Sequence, residues 1–182
     1  IPAVPVADDA PEIGENVWIL AGPMPGASQT WRASGIVAST DALVVADPGP
    51  TYAGLLETDA PSAPEAAGGA LVDGSGEVTG IVLAPVAGRQ TTFALPISVA
   101  IAVAKDLRDD GVAAHGALGL TGVDSAAGPA VSEVEPDGPA ARAGVLPGDI
   151  VVAVEGRPVL DMGELTATVR RYGPGKVVAI SI

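Results

Sequence analysis

Residues 131–150 read VSEVEPDGPAARAGVLPGDI, and this stretch sets the architecture of the C-terminal half of the chain. Its apolar start predicts a strand over 130–134. A short helix is predicted from Pro139 to Ala143, since proline suits the first helical position and Gly144 follows as a stop. The next apolar run, 150–154, leads into Glu155 and Gly156, which are typical of a hairpin turn. A compact α+β unit is therefore expected here.

A second helix is predicted to begin at Asp161. Asp161 and Glu164 have the spacing of a capping box, in which the side chain of each residue accepts a hydrogen bond from the backbone N–H of the other. Gly173 and Pro174 predict the end of the helix, and a last strand is predicted over 176–182. The apolar stripe of this helix comprises Met162, Leu165, Val169 and Tyr172.

The N-terminal half reads as short apolar runs separated by turn residues. Turns are predicted at 39–41 and 73–76, where small and polar residues interrupt β-branched ones. The spacing of the runs favours an antiparallel barrel or sandwich. The predicted strands cover 17–20, 35–38, 42–45, 70–72 and 78–83.

A helix is predicted to close this first region, because its apolar residues recur with helical spacing. Ser98 is the predicted N-cap and Gly111 the predicted stop. The small-residue connector that follows contains His115, the one histidine of the chain. We place the domain boundary there, giving domains 1–112 and 113–182. The apolar stripe of the closing helix comprises Ala100, Val103, Ala104 and Leu107.

The amino-acid composition excludes several classes of partner and site. The chain has 182 residues, with Lys+Arg 9 against Asp+Glu 22 and a net charge of −13, so nucleic acid is excluded as a partner. Because Cys is 0, disulfides, thiolate metal sites and cysteine nucleophiles are excluded too. We expect no cofactor, no metal and no membrane span. Since the chain begins at Ile1 rather than Met, a fragment or processed product is expected.

The order of residues over 131–159 resembles the PDZ domain that follows the protease in HtrA (DegP-like) proteins, whose pattern is S-P-A-x-x-A-G-L-x-x-G-D-x-I-x-x-I-d-G-x-x-V. The resemblance extends over 116–182. It implies binding of peptide or protein C-termini, with the ligand added as a strand beside 120–123 and its carboxylate held by a glycine-containing loop. The implied peptide-binding residues are Leu118, Gly119, Leu120, Thr121, Gly122, Leu165 and Val169. The alternative is that these are ordinary core residues of a PDZ fold that binds nothing.

Residues 58–72 resemble the segment around the nucleophile of the same proteases, where T-D-A precedes P-G-N-S-G-G. In this resemblance Ala67 stands at the serine nucleophile, Ala66 at the asparagine and Glu65 at the glycine of the oxyanion hole. Gly68 and Gly69 are kept. Further matches at 13–23, 33–37, 80–82 and 93–96 imply the second barrel of a chymotrypsin-like protease, without the first barrel that carries the catalytic His and Asp.

The fold expected is therefore mainly β: a second antiparallel barrel of a chymotrypsin-like protease followed by an α+β PDZ domain. We expect a non-catalytic pseudoprotease that binds apolar peptide C-termini. One alternative is a fragment of an HtrA-like serine endopeptidase whose catalytic His and Asp lie in a missing N-terminal half, with a displaced nucleophile such as Ser62. Another is a docking scaffold. The resemblance also implies an extracytoplasmic location and self-association into homo-oligomers.

Overall fold

The computed structural model describes residues 4–23, 30–45, 51–61 and 63–182, and they are mainly β. They divide into two compact units. The described residues of Ile1–Ala46 and Gly54–Ala113 form unit 1, and those of Asp47–Ala53 and Ala114–Ile182 form unit 2. The chain is thus partitioned between Ala113 and Ala114, and each unit has its own apolar core.

A closed antiparallel barrel with strand order β1-β2-β3-β6-β5-β4 is the main feature of the first part of the chain. A 3-10 turn, Pro64–Ala66, precedes β4, and helix α1, Ile97–Asp109, follows β6. The six strands are β1 Asn16–Ala21, β2 Trp31–Val45, β3 Thr51–Thr58, β4 Ala70–Val72, β5 Val78–Val82 and β6 Thr92–Pro96.

Alternation along β1 shows how the barrel core is built. Val17, Ile19 and Ala21 are buried, whereas Trp18 and Leu20 between them are exposed on the outside. This is the period of two that places successive side chains on opposite faces of a strand. The buried set joins Val37, Leu56, Ala60, Ala66, Leu71, Val82 and Ala94 in one aliphatic cluster.

The predicted turn at 39–41 is wrong. Strand β2 runs without interruption through these residues, although the backbone N–H of Asp41 donates to Ser39 Oγ at 3.1 Å. The first part of β2 pairs with β1, and β3 is its other neighbour in the barrel. A single long strand can serve both neighbours, so the small and polar residues mark its middle rather than a hairpin.

The predicted N-cap Ser98 is also wrong. Helix α1 follows β6 directly, with Pro96 at the N-cap position and no side-chain capping bond. Ser98 therefore lies inside the first turn, too far along to cap it. Gly111 has a φ of +72°, as its predicted role as a stop requires. The apolar stripe is only partly covered, since Leu107 remains 50% exposed.

Unit 2 contains a two-stranded sheet, a three-stranded sheet of order β10-β9-β11, and two helices. The buried core consists of Val131, Ala140, Val145, Val151, Val154, Val159, Leu165 and Val169. The elements are β7 Leu120–Ser125, β8 Gly128–Val134, α2 Pro139–Ala143, β9 Ala153–Val154, β10 Arg157–Pro158, α3 Met162–Arg170 and β11 Ile180–Ser181.

Local chemistry places both helices as predicted. Asp161 Oδ1 accepts a hydrogen bond of 2.7 Å from the backbone N–H of Glu164. Glu164 Oε2 accepts one of 2.9 Å from the N–H of Leu160. The first bond satisfies a donor at the start of α3 that has no partner within the helix. The second differs from the predicted capping box, because its donor is Leu160, the residue before the N-cap, rather than Asp161 itself. Helix α2 begins at Pro139 and ends at Gly144, which has a φ of +86°.

Two predicted strands of unit 2 are shorter than expected. The run 150–154 contributes only its last two residues to β9, because Val151 N–H donates to Pro129 O and thereby ties the earlier part to β8. The run 176–182 contributes only Ile180–Ser181. Lys176 lies in a turn in which its N–H donates to Gly173 O, and Val177 is 98% exposed.

Candidate functional site

A cavity of about 250 Å³ lies in unit 2 between the segment 116–120 and helix α3. Its walls are predominantly apolar, and Arg170 is the charged residue among them. The lining residues are Gly116, Ala117, Leu118, Gly119, Leu120, Met162, Leu165, Thr166, Val169 and Arg170. An apolar cavity with a few polar groups is the usual form of a site that recognises a small ligand or a terminal residue.

The loop 116–119 is held by its flanks. Gly116 N–H donates to Tyr172 O at 3.0 Å, Leu118 O accepts from Ala140 N–H at 2.8 Å, and Gly119 O accepts from Glu135 N–H at 2.8 Å. Gly119 has a φ of +69°, a conformation that glycine adopts at little cost. The loop is therefore anchored at its start to Tyr172, just beyond α3, and through its carbonyl oxygens to residues 135–140.

Three successive amides in this loop have no acceptor within the described part of the chain. They are the N–H groups of Ala117, Leu118 and Gly119. Successive backbone N–H groups around a glycine with positive φ form a concave site for an anion. The loop can thus supply donors to a carboxylate at the end of an apolar cavity.

Helix α3 forms the opposite wall. Met162, Leu165, Thr166, Val169 and Arg170 lie three and four residues apart, which puts them on one helical face. Leu165 and Val169 are buried against the core and their neighbours are more open to the cavity. The wall is therefore an apolar stripe that ends in a cation.

Most of the predicted peptide-binding residues meet in this cavity. Leu118, Gly119, Leu120, Leu165 and Val169 line it together. Thr121 and Gly122 continue along β7 but are not part of the lining.

The sulfur of Met162 lies close to Gly122 of strand β7. A Cβ built on Gly122 would lie 2.8 Å from Met162 Sδ. The thioether of Met162 therefore packs against the backbone of β7 at Gly122.

Sequence reasoning missed the roles of Gly116, Ala117, Met162, Thr166 and Arg170 in the lining. The helical period could have indicated the helical members: three residues before Leu165 is Met162, three before Val169 is Thr166, and four after Thr166 is Arg170. The need for glycine at position 116 is visible only in the folded structure, because a Cβ there would lie 2.5 Å from Tyr172 O.

The loop 63–69, the expected counterpart of the nucleophile segment of a protease, is held by backbone hydrogen bonds. Ala67 follows the 3-10 turn and is exposed, as is Glu65, whereas Ala66 is buried. The N–H groups of all four residues from 66 to 69 donate within the chain: to Ala63 O, Pro64 O, Val82 O and Ala66 O, at 2.8–3.3 Å. The amide at the nucleophile position is thus engaged. Ser62 lies outside the described residues.

A second cavity of about 290 Å³ lies in unit 1 and is acidic. Asp73 Oδ1 accepts hydrogen bonds from Ser75 Oγ at 2.8 Å, Ser75 N–H at 2.9 Å and Glu77 N–H at 3.0 Å. Desolvation is the largest single influence and raises the pKa of Asp73, but these hydrogen bonds together lower the pKa below its ordinary value. In the described part of the chain, no group of three or more acidic or histidine side chains is arranged to hold a metal ion. The carboxylates that line this cavity are Asp8, Asp9, Glu15, Asp73 and Glu77.

Within the same described ranges, no helix has the length and apolarity needed to cross a membrane.

Comparison with known families identifies a PDZ domain over residues 130–180. The match includes α2, β9 and α3. The loop 116–119 and strand β7 precede it, so their role rests on the geometry described above.

Similar proteins extend the comparison over nearly the whole chain. A protein of Halomonas elongata named "Probable periplasmic serine endoprotease DegP-like" is 30% identical over 96% of this chain and 40% of its own length. One of Pseudomonas putida with the same name is 31% identical over 99% of this chain and 41% of its own length. The chain therefore spans about two fifths of the curated relatives it matches.

Solved structures agree with these relatives. A serine endoprotease from Yersinia pestis superposes with a TM-score of 0.60 and 30% identity, covering 100% of this chain and 62% of that one. An HtrA-type protease, AlgW with a decapeptide, gives a TM-score of 0.61 and 28% identity over 98% of this chain and 59% of that one.

Proposed function

We propose that this chain, which is an HtrA/DegP-like protein with a PDZ domain, acts as a non-catalytic binder of peptide C-termini. The main support for this proposal is one cavity that has apolar walls and is also lined by three residues whose backbone amides have no acceptor among the described residues. A terminal side chain occupies the apolar part, and its carboxylate receives hydrogen bonds from Ala117, Leu118 and Gly119.

The remainder of such a ligand extends along β7. That strand pairs with β8 on one side, and its other side supplies the edge to which an extended peptide adds by main-chain hydrogen bonds. Because Leu165 and Val169 line the cavity, the terminal residue is apolar. The net charge of −13 disfavours acidic peptides as ligands.

The absence of catalysis is supported by the residues around position 67. Ala67 offers a methyl group where the related proteases use a hydroxyl, so acyl transfer by that route has no nucleophile. Its amide already donates to Pro64 O at 3.3 Å. Glu65 brings a carboxylate to the region where an oxyanion would need stabilisation, which opposes the reaction.

The chain is extracytoplasmic, as its curated relatives are named periplasmic.

Self-association is a further part of the proposal. Apolar residues on the outside of the barrel, including Trp18, Leu20 and Ile36, support it because they are 40–49% exposed. Sedimentation velocity of the chain at several concentrations tests this part.

Peptide binding is tested by fluorescence anisotropy with the whole chain and labelled peptides that end in Val or Asp. The Val-ended peptide is expected to bind more tightly, and tighter binding of the Asp-ended peptide would contradict the proposal.

Two variants make the binding test specific. Thr166→Glu places a carboxylate in the cavity wall and is expected to weaken binding about tenfold or more. Ser132→Glu is its matched control: it makes the same charge change on an exposed residue of β8 and leaves binding unchanged.

Catalytic inactivity is tested with a fluorophosphonate probe and a casein substrate. The chain is expected to be neither labelled nor active, and Ala67→Ser alone is expected to stay inactive because Glu65 remains. Strong casein cleavage by Ala67→Ser would show that the loop is intact apart from its nucleophile. The double variant Ala67→Ser with Glu65→Gly tests how much the glutamate contributes.

A further inference from the structure

We propose that Arg170 pairs directly with the ligand carboxylate, and that the amides of the loop 116–119 hold the anion more weakly without it. The inference rests on the proposed peptide binding and adds a cation to that site. It follows from where the loop lies relative to the end of helix α3.

The loop lies against the C-terminal end of α3. Gly116 N–H donates to Tyr172 O at 3.0 Å, and a Cβ on Gly116 would lie 2.5 Å from Tyr172 O and 2.7 Å from Val169 O. These contacts put the carbonyl oxygen of Val169, in the last turn of α3, and that of Tyr172, just beyond the helix, beside the first residue of the loop.

That position is electrostatically unfavourable for an anion. The helix dipole gives a helix C-terminus a partial negative charge of about −0.5, although Val169 O and Tyr172 O themselves accept hydrogen bonds from the N–H groups of Tyr172 and Gly116. The chain as a whole carries a net charge of −13. The unused amides of the loop must therefore bind a carboxylate within a region of negative potential.

Arg170 supplies the missing positive charge. It lies in the last turn of α3, lines the cavity together with the loop, and is exposed. No hydrogen bond or ion pair of its guanidinium is found with any other described residue. An exposed guanidinium without a carboxylate partner among the described residues, on a residue that lines the same cavity as the loop, can pair with a ligand carboxylate.

Arg171 provides a matched control. It is the next residue and has the same charge, but its guanidinium lies over the ring of Tyr172, 5.5 Å from the centroid. It is not part of the cavity lining. Replacing either arginine changes the net charge and the helix terminus alike, so only a direct role in the site separates the two variants.

The experiment compares a Val-ended peptide that has a free carboxylate with the same peptide amidated at its C-terminus. Affinities are measured for the whole chain, Arg170→Gln, Arg170→Lys and Arg171→Gln at pH 8 and low salt. Arg170→Gln is expected to weaken binding of the free acid about tenfold and to leave the amide within about twofold. Arg170→Lys is expected to recover part of the loss, and Arg171→Gln to match the unmodified chain. Circular dichroism and thermal melting check that each variant is folded.

An unchanged acid-to-amide ratio in Arg170→Gln, or an equal loss in Arg171→Gln, would overturn the role of Arg170 while leaving peptide binding in place. If the unmodified chain binds neither peptide, the proposed function itself fails, and the inference fails with it. A weaker dependence of free-acid affinity on salt in Arg170→Gln than in the unmodified chain is a second expected result, because screening acts on the charge pair.

Discussion

Asp124 and Met162 join the two walls of the candidate site: Asp124 Oδ1 accepts a hydrogen bond of 2.7 Å from the backbone N–H of Met162. Asp124 lies near the end of β7, and Met162 is the first residue of α3. The bond satisfies a helix N-terminal donor that has no partner within α3. It therefore ties the strand that would receive a peptide to the helix that would face it.

Asp124→Ala is expected to destabilise unit 2 by about 1 kcal/mol, since it removes both a hydrogen bond and a negative charge from a helix N-terminus. It should also weaken peptide binding, because the groove is no longer held at this end. Asp124→Asn keeps an oxygen acceptor and is expected to retain most of both properties. Denaturant unfolding and anisotropy measure the two effects, and equal behaviour of the two variants would count against the role of this bond.

Gly116→Ala is expected to destabilise unit 2 strongly, by about 2 kcal/mol or more, because the added Cβ meets backbone carbonyl oxygens that cannot move without disturbing α3. The nearest of these oxygens lies 2.5 Å from the Cβ position. Gly173→Ala is the control: a Cβ there meets nothing within 4 Å. Hydrogen exchange measured by mass spectrometry should show faster exchange at 116–120 and in α3 for Gly116→Ala alone.

If both glycine variants exchange alike, the loop is not held by its approach to α3, and the electrostatic argument for Arg170 loses its geometric basis.

Much of unit 2 could be predicted from local chemistry. The N-cap at Asp161 and the short helix from Pro139 to Gly144 form as expected because their determinants lie within a few residues of one another. The return bond of the predicted capping box is different, since Glu164 accepts from Leu160 N–H. The predicted cap at Ser98 fails because β6 runs directly into α1. A continuing strand is a tertiary effect that the residues around Ser98 do not reveal.

In the candidate site, too, some features follow from neighbouring residues and others depend on the whole fold. The helical period indicates Leu165 and Val169, and in principle the rest of their face. The amides of Ala117, Leu118 and Gly119 cannot be found in this way, because whether a backbone N–H has a partner depends on the whole fold. Likewise, turn-like residues in β2 do not reveal that a barrel strand must reach from β1 to β3.

Thr168→Val is expected to leave unit 2 equally stable or to stabilise it by about 1 kcal/mol. Thr168 Oγ1 is buried, and among the described residues it has no hydrogen-bond partner. A buried hydroxyl without a partner costs free energy that a methyl group of similar shape does not. Thr168→Ala is the comparison, since it removes the hydroxyl but leaves a cavity, and it is expected to destabilise the unit. A loss of stability in Thr168→Val like that in Thr168→Ala would show that the hydroxyl is satisfied in solution.

Asp73→Asn is expected to make the stability of the barrel less dependent on pH. Hydrogen bonds from Ser75 and Glu77 hold the pKa of Asp73 below its ordinary value in the folded chain, although desolvation opposes them. A carboxylate with a lowered folded pKa stabilises the native state fully above its ordinary pKa of about 3.9, and that contribution is lost as the pH falls through the folded value.

At pH 7 the unmodified barrel should therefore be more stable than Asp73→Asn, by less than about 1 kcal/mol because Asp73 is only partly buried and solvent screens its charge. The difference should shrink below pH 4. Both tryptophans, Trp18 and Trp31, lie in unit 1, so their fluorescence reports barrel unfolding. Asp9→Asn removes a charge from the same cavity without removing an acceptor of these bonds and serves as the control. A stability difference between Asp73→Asn and the unmodified chain that stays constant from pH 7 to pH 3 would contradict the assigned role of the Asp73 charge.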